Sequence, residues 1–246
     1  MFLLQINIIM KNPLMFFCTI LLVTPSFSQS FTTAEEVINK YLEVTKIKES
    51  VASITDLTMT YTSEKQRGVS ETEFKYSFPY KYSMTVFANG MELMSSKFDG
   101  EKAIRKSSFG GGAGQEPKSG PAVLSEAYRT HPFVEMEYKN LKFIPTLVAS
   151  DNPETYVIEV KDAEGKVWKD FYSVQTGFKT KTIVKNETPR GPFESIIVFE
   201  NYKTFKGLAI LFSSIKKQTS QMGEITSELQ SIKINKGIKP KEFEIK

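Results

Sequence analysis

Apolar and polar residues alternate with a period of two through most of the chain. This alternation is typical of β-strands that have one dry face and one wet face. We therefore expect several strands to carry a stripe of inward-facing side chains. The clearest stripes are Phe74/Tyr76/Phe78, Tyr82/Met84/Val86 and Tyr156/Ile158/Val160.

Turn signals separate these strands at the spacing of an antiparallel meander. Asn89-Gly90 and Asp99-Gly100 predict hairpins, because both central residues of a type I′ turn need positive φ. Pro79 is expected to bend the chain between two strands, and Thr176-Gly177 to reverse it later. Longer strands are predicted over residues 193–202, 208–218 and 225–234.

Helical periodicity appears before the first strand. Thr33 and Glu36 have the spacing of a capping box, in which each side chain bonds to the other residue's backbone amide. The apolar residues that follow share one helical face, which predicts an amphipathic helix over residues 34–45. A short helical turn is predicted over residues 48–54.

A second helical stretch lies in the middle of the chain. Residues 110–121 are rich in glycine and predict a flexible loop. Residues 123–138 then predict a helix that Pro132 interrupts. The next strands are expected from Lys142 onward.

Together these elements predict a single β-rich α+β domain. A sheet of this many strands curls or closes on itself. We therefore expect a strongly curved antiparallel sheet, a half-open β-barrel, whose concave face holds a helical plug. The helices from the N-terminal and middle segments are the natural filling.

Residues 1–28 have the pattern of a secretory signal peptide. Lys11-Asn12 is a short basic start, residues 14–23 are apolar, and Ser26-Phe27-Ser28 resembles a cleavage site of small residues. The alternative is an uncleaved membrane anchor, for which the apolar run is shorter than the ~20 residues that a bilayer requires.

Cleavage after Ser28 would leave residues 29–246 as one domain, with Met1 or Met10 as the start of translation. Cys18, the only cysteine, lies inside the apolar run rather than at its end, so we expect no lipid anchor. The expected location is the periplasm of a Gram-negative bacterium, with no transmembrane span in the mature chain.

The side chains available for catalysis are few. His131 is the only histidine, which leaves no further His or Cys ligand for zinc and no obvious catalytic pair. Residues 110–114 lack the Gly-Lys-Ser/Thr of a phosphate-binding loop. Glu135 and Glu137 are interpreted as solvated. We expect a non-enzymatic protein with no catalytic residue, metal or cofactor.

The formal net charge of +4 is spread along the chain. Lys216-Lys217 and Lys239-Pro240-Lys241 are too short for a nucleic-acid footprint. We interpret both as solvated surface and expect no nucleic-acid partner.

Several segments, in order, resemble a known family. They are AEEVINKYLEVTK, LTMTYTSE, FPYKYSMTV, MELMSSKFDGEKA, DFYSVQTGFKTK, FENYKTFKGLAI and IKINKGIKPKEFEI. The chain resembles the periplasmic outer-membrane lipoprotein-sorting carriers (LolA-like), particularly the divergent branch of Bacteroidetes-type bacteria. A Gly-Gly pair often follows the first helix in that family, and Lys46-Ile47 stands in its place here.

The resemblance implies a carrier or binder of lipoprotein acyl chains or other lipids. Two alternatives stay open. One is an interaction or structural module of the cell envelope, with a packed core and a protein partner. The other is an enzyme or an accessory domain of one, because similar domains occur beside insulinase-type zinc peptidases. A cavity large enough for an acyl chain would separate the carrier from the packed module.

The chain contains 19 Phe, 10 Tyr and 9 Met, which is ample apolar surface. Methionine adapts to irregular apolar ligands, and a curved sheet can enclose a cavity. We expect a cavity between the helix over residues 123–138 and the strands, although the same residues could simply pack against that helix. The predicted ligand-binding residues are Tyr82, Met84, Val86, Phe98, Tyr156 and Ile158.

Overall fold

The computed structural model describes residues 30–65, 68–108, 116–188, 191–205, 207–220 and 223–245. The predicted signal peptide, residues 1–28, lies outside them. The helices are α1 (Ala34–Val44), α2 (Ile47–Ser50), α3 (Pro121–Arg129) and α4 (Val134–Glu137). The strands are β1 (Asp56–Lys65), β2 (Gly68–Ser77), β3 (Lys81–Ala88), β4 (Met91–Phe98), β5 (Lys102–Ser107), β6 (Lys118–Ser119), β7 (Ile144–Val148), β8 (Thr155–Lys161), β9 (Val167–Ser173), β10 (Lys179–Thr188), β11 (Gly191–Thr204), β12 (Leu211–Ser220) and β13 (Gly223–Ile234).

Within the described ranges, the strands form one curved antiparallel sheet of 13 strands, which confirms the predicted fold class. The strand order is β6-β5-β4-β3-β2-β1-β13-β12-β11-β10-β9-β8-β7. Strands adjacent in sequence are adjacent in the sheet, except for β6 and β7, and β1 pairs with β13. The two free edges are therefore β6 and β7, and the chain between them contains α3 and α4. We call α3 and α4 the plug.

The N-terminal helix begins where the capping box predicts. The Thr33 hydroxyl accepts a hydrogen bond from the Glu36 backbone N–H, and the Glu36 carboxylate accepts one from the Thr33 N–H. The Glu36 carboxylate also accepts a hydrogen bond from the Thr32 N–H (2.9 Å). This bond makes the largest contribution to lowering the pKa of Glu36 below its ordinary value, and the bonds with Thr33 add to it. The predicted short helical turn is also present, as α2 followed by a 3-10 turn, Val51–Ser53.

The two predicted hairpin turns differ in their backbone. Asn89 and Gly90 have φ angles of 51° and 74°, as a type I′ turn requires. In the second turn only Gly100 has positive φ, at 106°. Asp99 instead accepts hydrogen bonds from the N–H groups of Glu101 (2.9 Å) and Lys102 (2.7 Å) through its side chain. The hairpin forms, but the prediction of positive φ at Asp99 was wrong, because the carboxylate caps a longer loop.

The middle segment agrees with the predicted interrupted helix. The plug breaks at Pro132, between Arg129 and Val134. The predicted loop over residues 110–121 is only partly correct. Residues 109–115 lie outside the described ranges, whereas Lys118 and Ser119 pair with Ala103 and Lys102 as strand β6.

The core lies on the concave face of the sheet, where α1, α2 and the plug pack. Directly opposed residues of antiparallel strands point to the same face, so the strand register assigns each side chain to a face. Met84 opposes Phe74, and Val86 opposes Thr72. The three predicted stripes share this face. Tyr76, Ile158 and Val160 belong to the buried core, and Phe74, Phe78, Tyr82 and Tyr156 pack against it.

Candidate functional site

A buried polar network occupies the centre of the core. Asp170 of β9 is almost completely buried. Its carboxylate accepts hydrogen bonds from the Tyr138 hydroxyl (3.2 Å), the Trp168 indole N–H (3.2 Å) and the Thr182 hydroxyl (2.5 Å). Three donors therefore satisfy both carboxylate oxygens, as the burial of polar atoms requires.

Glu135 of the plug lies near this network and forms an ion pair with Lys179 of β10. The prediction that Glu135 is solvated was wrong, because its side chain is 2% exposed. Burial lowers the pKa of Lys179, but the negative charges of Asp170 and Glu135 outweigh burial and hold that pKa well above its ordinary value. Lys179 is therefore charged at neutral pH, and separating it from Glu135 would leave an unpaired buried charge.

A second polar contact holds the other half of the plug. The Ser125 hydroxyl of α3 donates a hydrogen bond to Asp162, in the turn between β8 and β9. Asp162 also accepts hydrogen bonds from the N–H groups of Glu164 (3.0 Å) and Lys166 (2.7 Å). Both helices of the plug are thus fixed to the same side of the sheet.

The structure divides the six predicted ligand-binding residues into three groups. Tyr82 and Phe98 lie side by side, with ring centroids 6.1 Å apart. Phe98 also makes an edge contact with Tyr128 of the plug at 6.1 Å. The space between Tyr82, Tyr128 and His131 measures about 10 Å³, room for about one water molecule. In this form of the protein, the plug fills that region.

Tyr156 and Ile158 form the second group, on β8. Ile158 is completely buried in the core. The Tyr156 hydroxyl accepts a hydrogen bond from the Phe31 N–H (2.9 Å), and the two rings lie 5.4 Å apart. Seven strands lie between β8 and β3 in the sheet, so these residues belong to a different part of the concave face from Tyr82.

Met84 and Val86 form the third group. Both side chains are half-buried, on the concave face but outside the packed core. On the opposite wall, Ile197 and Phe199 of β11 have the same intermediate exposure. The register places them with the core, since Ile197 opposes Thr182, which bonds to Asp170. We call this region the uncovered concave surface; it consists of Met84, Val86, Met94, Ile197, Phe199 and Ile225.

A cavity of about 80 Å³ opens beside this surface. Its lining includes Met59 and Tyr61 of β1, Phe199 of β11 and Phe212 and Lys216 of β12. An apolar cavity of about 150 Å³ can hold benzene, so this cavity alone is too small for an acyl chain. It can hold the end of an apolar chain that continues along the uncovered concave surface.

Besides Lys179, which is paired with Glu135, the charged residue that lines this cavity is Lys216. Its ammonium lies 4.7 Å from the centre of the Tyr61 ring and 5.8 Å from that of Phe199. The interpretation of Lys216-Lys217 as solvated surface was therefore wrong for Lys216. Lys217 points to the convex face, where it pairs with Glu200 at 2.8 Å. The period of two in β12 turns adjacent lysines to opposite faces.

His131 has a packing role at the end of α3. Its ring contacts Phe78 at 5.0 Å and Phe133 at 6.2 Å, and Nδ1 accepts a hydrogen bond from the Phe133 N–H (3.1 Å). Burial lowers the pKa of His131 to about 4. Among the residues that the structure describes, no three His, Cys, Asp or Glu side chains are placed to bind a metal ion.

The helices in the described ranges are too short, or too polar, to cross a bilayer.

Sequence comparisons identify no relative of this chain: no protein-family model matches, and no curated protein matches. Among solved structures, a LolA superfamily protein from Nitrosomonas europaea is similar, with a TM-score of 0.54. The match covers 87% of this chain and 99% of that chain at 9% sequence identity. At this identity the likeness shows the fold alone. The chain has a LolA-like fold.

Two further structures match less well. A DUF1329 family protein from Desulfovibrio piger has a TM-score of 0.44 and 12% identity, over 86% of this chain and 97% of that chain. MucB in complex with MucA(peri) has a TM-score of 0.23 and 8% identity, over 81% and 94%. These scores are too low to support an argument, so the fold assignment rests on the Nitrosomonas structure. The relation to the Bacteroidetes-type branch stays a prediction.

Proposed function

We propose that this protein is a non-enzymatic carrier or binder of acyl chains in the periplasm. The observation that carries the proposal is the uncovered concave surface. Helices cover part of the concave face, whereas Met84, Val86, Ile197 and Phe199 stay half-exposed, and Phe199 lines a small cavity. An acyl chain that covered this surface would gain roughly 0.8 kcal/mol for each methylene buried.

The position of the plug determines which residues a ligand can contact first. Tyr82 and Phe98 lie against the plug, Ile158 is fully buried, and Tyr156 contacts Phe31, so a ligand reaches these residues only if the plug or the segment at Phe31 moves. The contacts of Ser125 with Asp162 and of Glu135 with Lys179 oppose that movement. We therefore place the ligand at Met84 and Val86 and treat the other four residues as an extension of the site in an opened form.

The periplasmic location in this proposal comes from the predicted signal peptide, residues 1–28, and from the LolA-like fold. N-terminal sequencing of the protein recovered from a periplasmic extract tests it. We expect the mature protein to begin near Gln29. An intact N-terminus in the membrane fraction would show that residues 14–23 are an anchor.

Native mass spectrometry of gently purified protein tests ligand binding. We expect a copurifying lipid in the wild type and its loss in Met84→Asp, because a carboxylate in the apolar surface repels an acyl chain. Val69→Asp is the matched control, since Val69 is 55% exposed and opposes Glu64 on the convex face. Circular dichroism confirms that both variants fold. Lipid retained equally by both variants would place the ligand elsewhere.

A second function has its own support. The cavity of about 80 Å³ is well below the ~300 Å³ at which ligand pockets begin. A tightly packed core instead favours an interaction module of the cell envelope. In that module the apolar concave surface binds a protein partner. This alternative predicts that purified wild-type protein carries no lipid and gains none when it is incubated with palmitate.

A further inference from the structure

Lys216 faces the interior of the curved sheet without a carboxylate partner. It opposes Phe199 on β11 and Ser227 on β13, both on the concave face. In the part of the chain that the structure describes, the ammonium of Lys216 forms no ion pair, and its contacts are the faces of Tyr61 and Phe199. A lysine in such a position retains much of its capacity to bind an anion.

Several lysines on the convex face have a carboxylate partner. Lys217 pairs with Glu200, Lys75 with Glu73 and Glu242, Lys169 with Glu159, and Lys185 with Glu194. Inside the sheet, Lys179 pairs with Glu135. Lys216 therefore differs from these lysines in two respects together: it faces inward, and it lacks a counter-ion.

The surroundings of Lys216 combine this charge with apolar surface. On one side lie Phe199 and the cavity of about 80 Å³. On the other side lies Ser227, whose hydroxyl is 2.7 Å from that of Ser63 on β1. A ligand that filled this place would need an apolar chain and, directly attached to it, an anionic group.

We propose that the ligand of the uncovered concave surface is an anionic amphiphile whose charged group pairs with Lys216. Its acyl chain then lies along Phe199 and Ile197 toward Met84 and Val86. This inference rests on the proposed function and names the chemical class of its ligand. The shared chemistry is an oxyanion next to an acyl chain, which both the carboxylate of a free fatty acid and the phosphate of a phospholipid provide.

The strength of the pairing follows from its position. An ion pair on open surface contributes little, because water screens it. Lys216 is half-buried between two aromatic rings, where a lower local dielectric strengthens a charge-assisted hydrogen bond. We expect the anionic group to improve affinity by about tenfold or more over a neutral group on the same chain.

Displacement of the neutral fluorescent probe N-phenyl-1-naphthylamine measures this preference. The competitors are palmitate, palmitoyl lysophosphatidylglycerol and the uncharged hexadecan-1-ol. We expect the wild type to bind at least one of the two anions about tenfold more tightly than hexadecan-1-ol. Tighter binding of palmitate identifies the carboxylate as the preferred group, and tighter binding of the lysolipid identifies the phosphate.

Variants assign the preference to one side chain. Lys216→Met keeps an apolar side chain of similar length over the rings, so hexadecan-1-ol should bind as in the wild type while the preference for the anion disappears. Lys216→Arg should retain that preference. Lys217→Met is the matched control, because it removes the neighbouring charge from the convex face, and we expect wild-type behaviour.

Three results would overturn the inference. The first is equal affinity of the wild type for the anions and hexadecan-1-ol, which leaves the proposed function intact but removes the role of the charge. The second is an anion preference that survives in Lys216→Met. The third is that the probe does not bind, or that none of the three competitors displaces it. In that case the proposed function fails as well.

Discussion

Glu135 and Lys179, which lie 44 residues apart in the chain, form an ion pair inside the core. The pair joins the plug to β10, next to the hydrogen-bonded carboxylate of Asp170. Together with the contact between Ser125 and Asp162, it fixes the plug on the sheet. The first prediction concerns its contribution to stability.

Lys179→Met should reduce the free energy of unfolding by about 3–5 kcal/mol, because it leaves the Glu135 carboxylate buried without a partner. The double variant Glu135→Leu/Lys179→Met should recover most of this loss. Urea unfolding at neutral pH measures both. Lys185→Met is the control: its pair with Glu194 has side chains that are 75% and 51% exposed, so the loss should stay below about 1 kcal/mol. Equal losses in the two single variants would contradict the structural role of the buried pair.

The second prediction is that His131 contributes to the pH dependence of the free energy of unfolding. Burial lowers its pKa from 6.5 to about 4 in the folded protein. Between these two values the unfolded chain binds the proton and the folded chain does not, so stability falls as the pH falls from 7 toward 4. The loss attributable to His131 should be about 1–2 kcal/mol at pH 5.

His131→Asn isolates this contribution, because Asn does not titrate and its side-chain oxygen can accept the hydrogen bond from the Phe133 N–H. The quantity to compare is the change in unfolding free energy between pH 7 and pH 5, in the wild type and in the variant. We expect a smaller change in the variant. The same change in both proteins would mean that the folded His131 is protonated as readily as the unfolded one.

The third prediction concerns Lys46, which has a φ of 59°. This is the left-handed region, in which a residue with a Cβ pays about 1–2 kcal/mol and glycine does not. Lys46→Gly should therefore raise the free energy of unfolding by about 0.5–1 kcal/mol, after the greater entropy of the unfolded chain is subtracted. Lys48→Gly, inside α2, should instead lower stability by about 1 kcal/mol. Thermal unfolding of both variants provides the test, and a lower melting temperature for Lys46→Gly would be the contrary result.

Local sequence signals predicted most of the fold, because each depends on only a few neighbouring residues. Thr33 and Glu36 fixed the start of α1, and Asn89-Gly90 fixed a type I′ turn. No local signal in the sequence predicted the backbone of the junction after α1, where Lys46-Ile47 stands. Lys46 has a left-handed backbone there, a conformation that glycine adopts more readily than lysine.

The features of the site were harder to predict, because they depend on pairs that are distant in sequence. Glu135 looks like a solvated helix residue until Lys179 is placed against it. Lys216 looks like its neighbour Lys217 until the register assigns them to opposite faces. The alternation of side chains along β12 already places the two lysines on opposite faces. Identifying the inner face also required the position of β1, which contributes Tyr61 beneath Lys216.

The central claim is that an acyl chain binds along the uncovered concave surface. The methionines of the chain can report on it directly, because Met84 and Met94 lie on that surface and Met136 lies in the plug. In protein labelled with ¹³C at the methionine methyl groups, Met→Leu variants assign each signal. A stearate that carries a nitroxide near the end of its chain then broadens the signals of methyl groups close to it.

We predict that titration with this spin-labelled stearate broadens the Met84 and Met94 signals first, and that unlabelled palmitate reverses the effect by competition. The Met136 signal should respond later or not at all, since the plug stays in place. Broadening of Met136 before Met84 and Met94 would mean that the ligand enters beneath the plug. Unchanged Met84 and Met94 signals at saturating stearate would contradict an acyl-chain site on this surface.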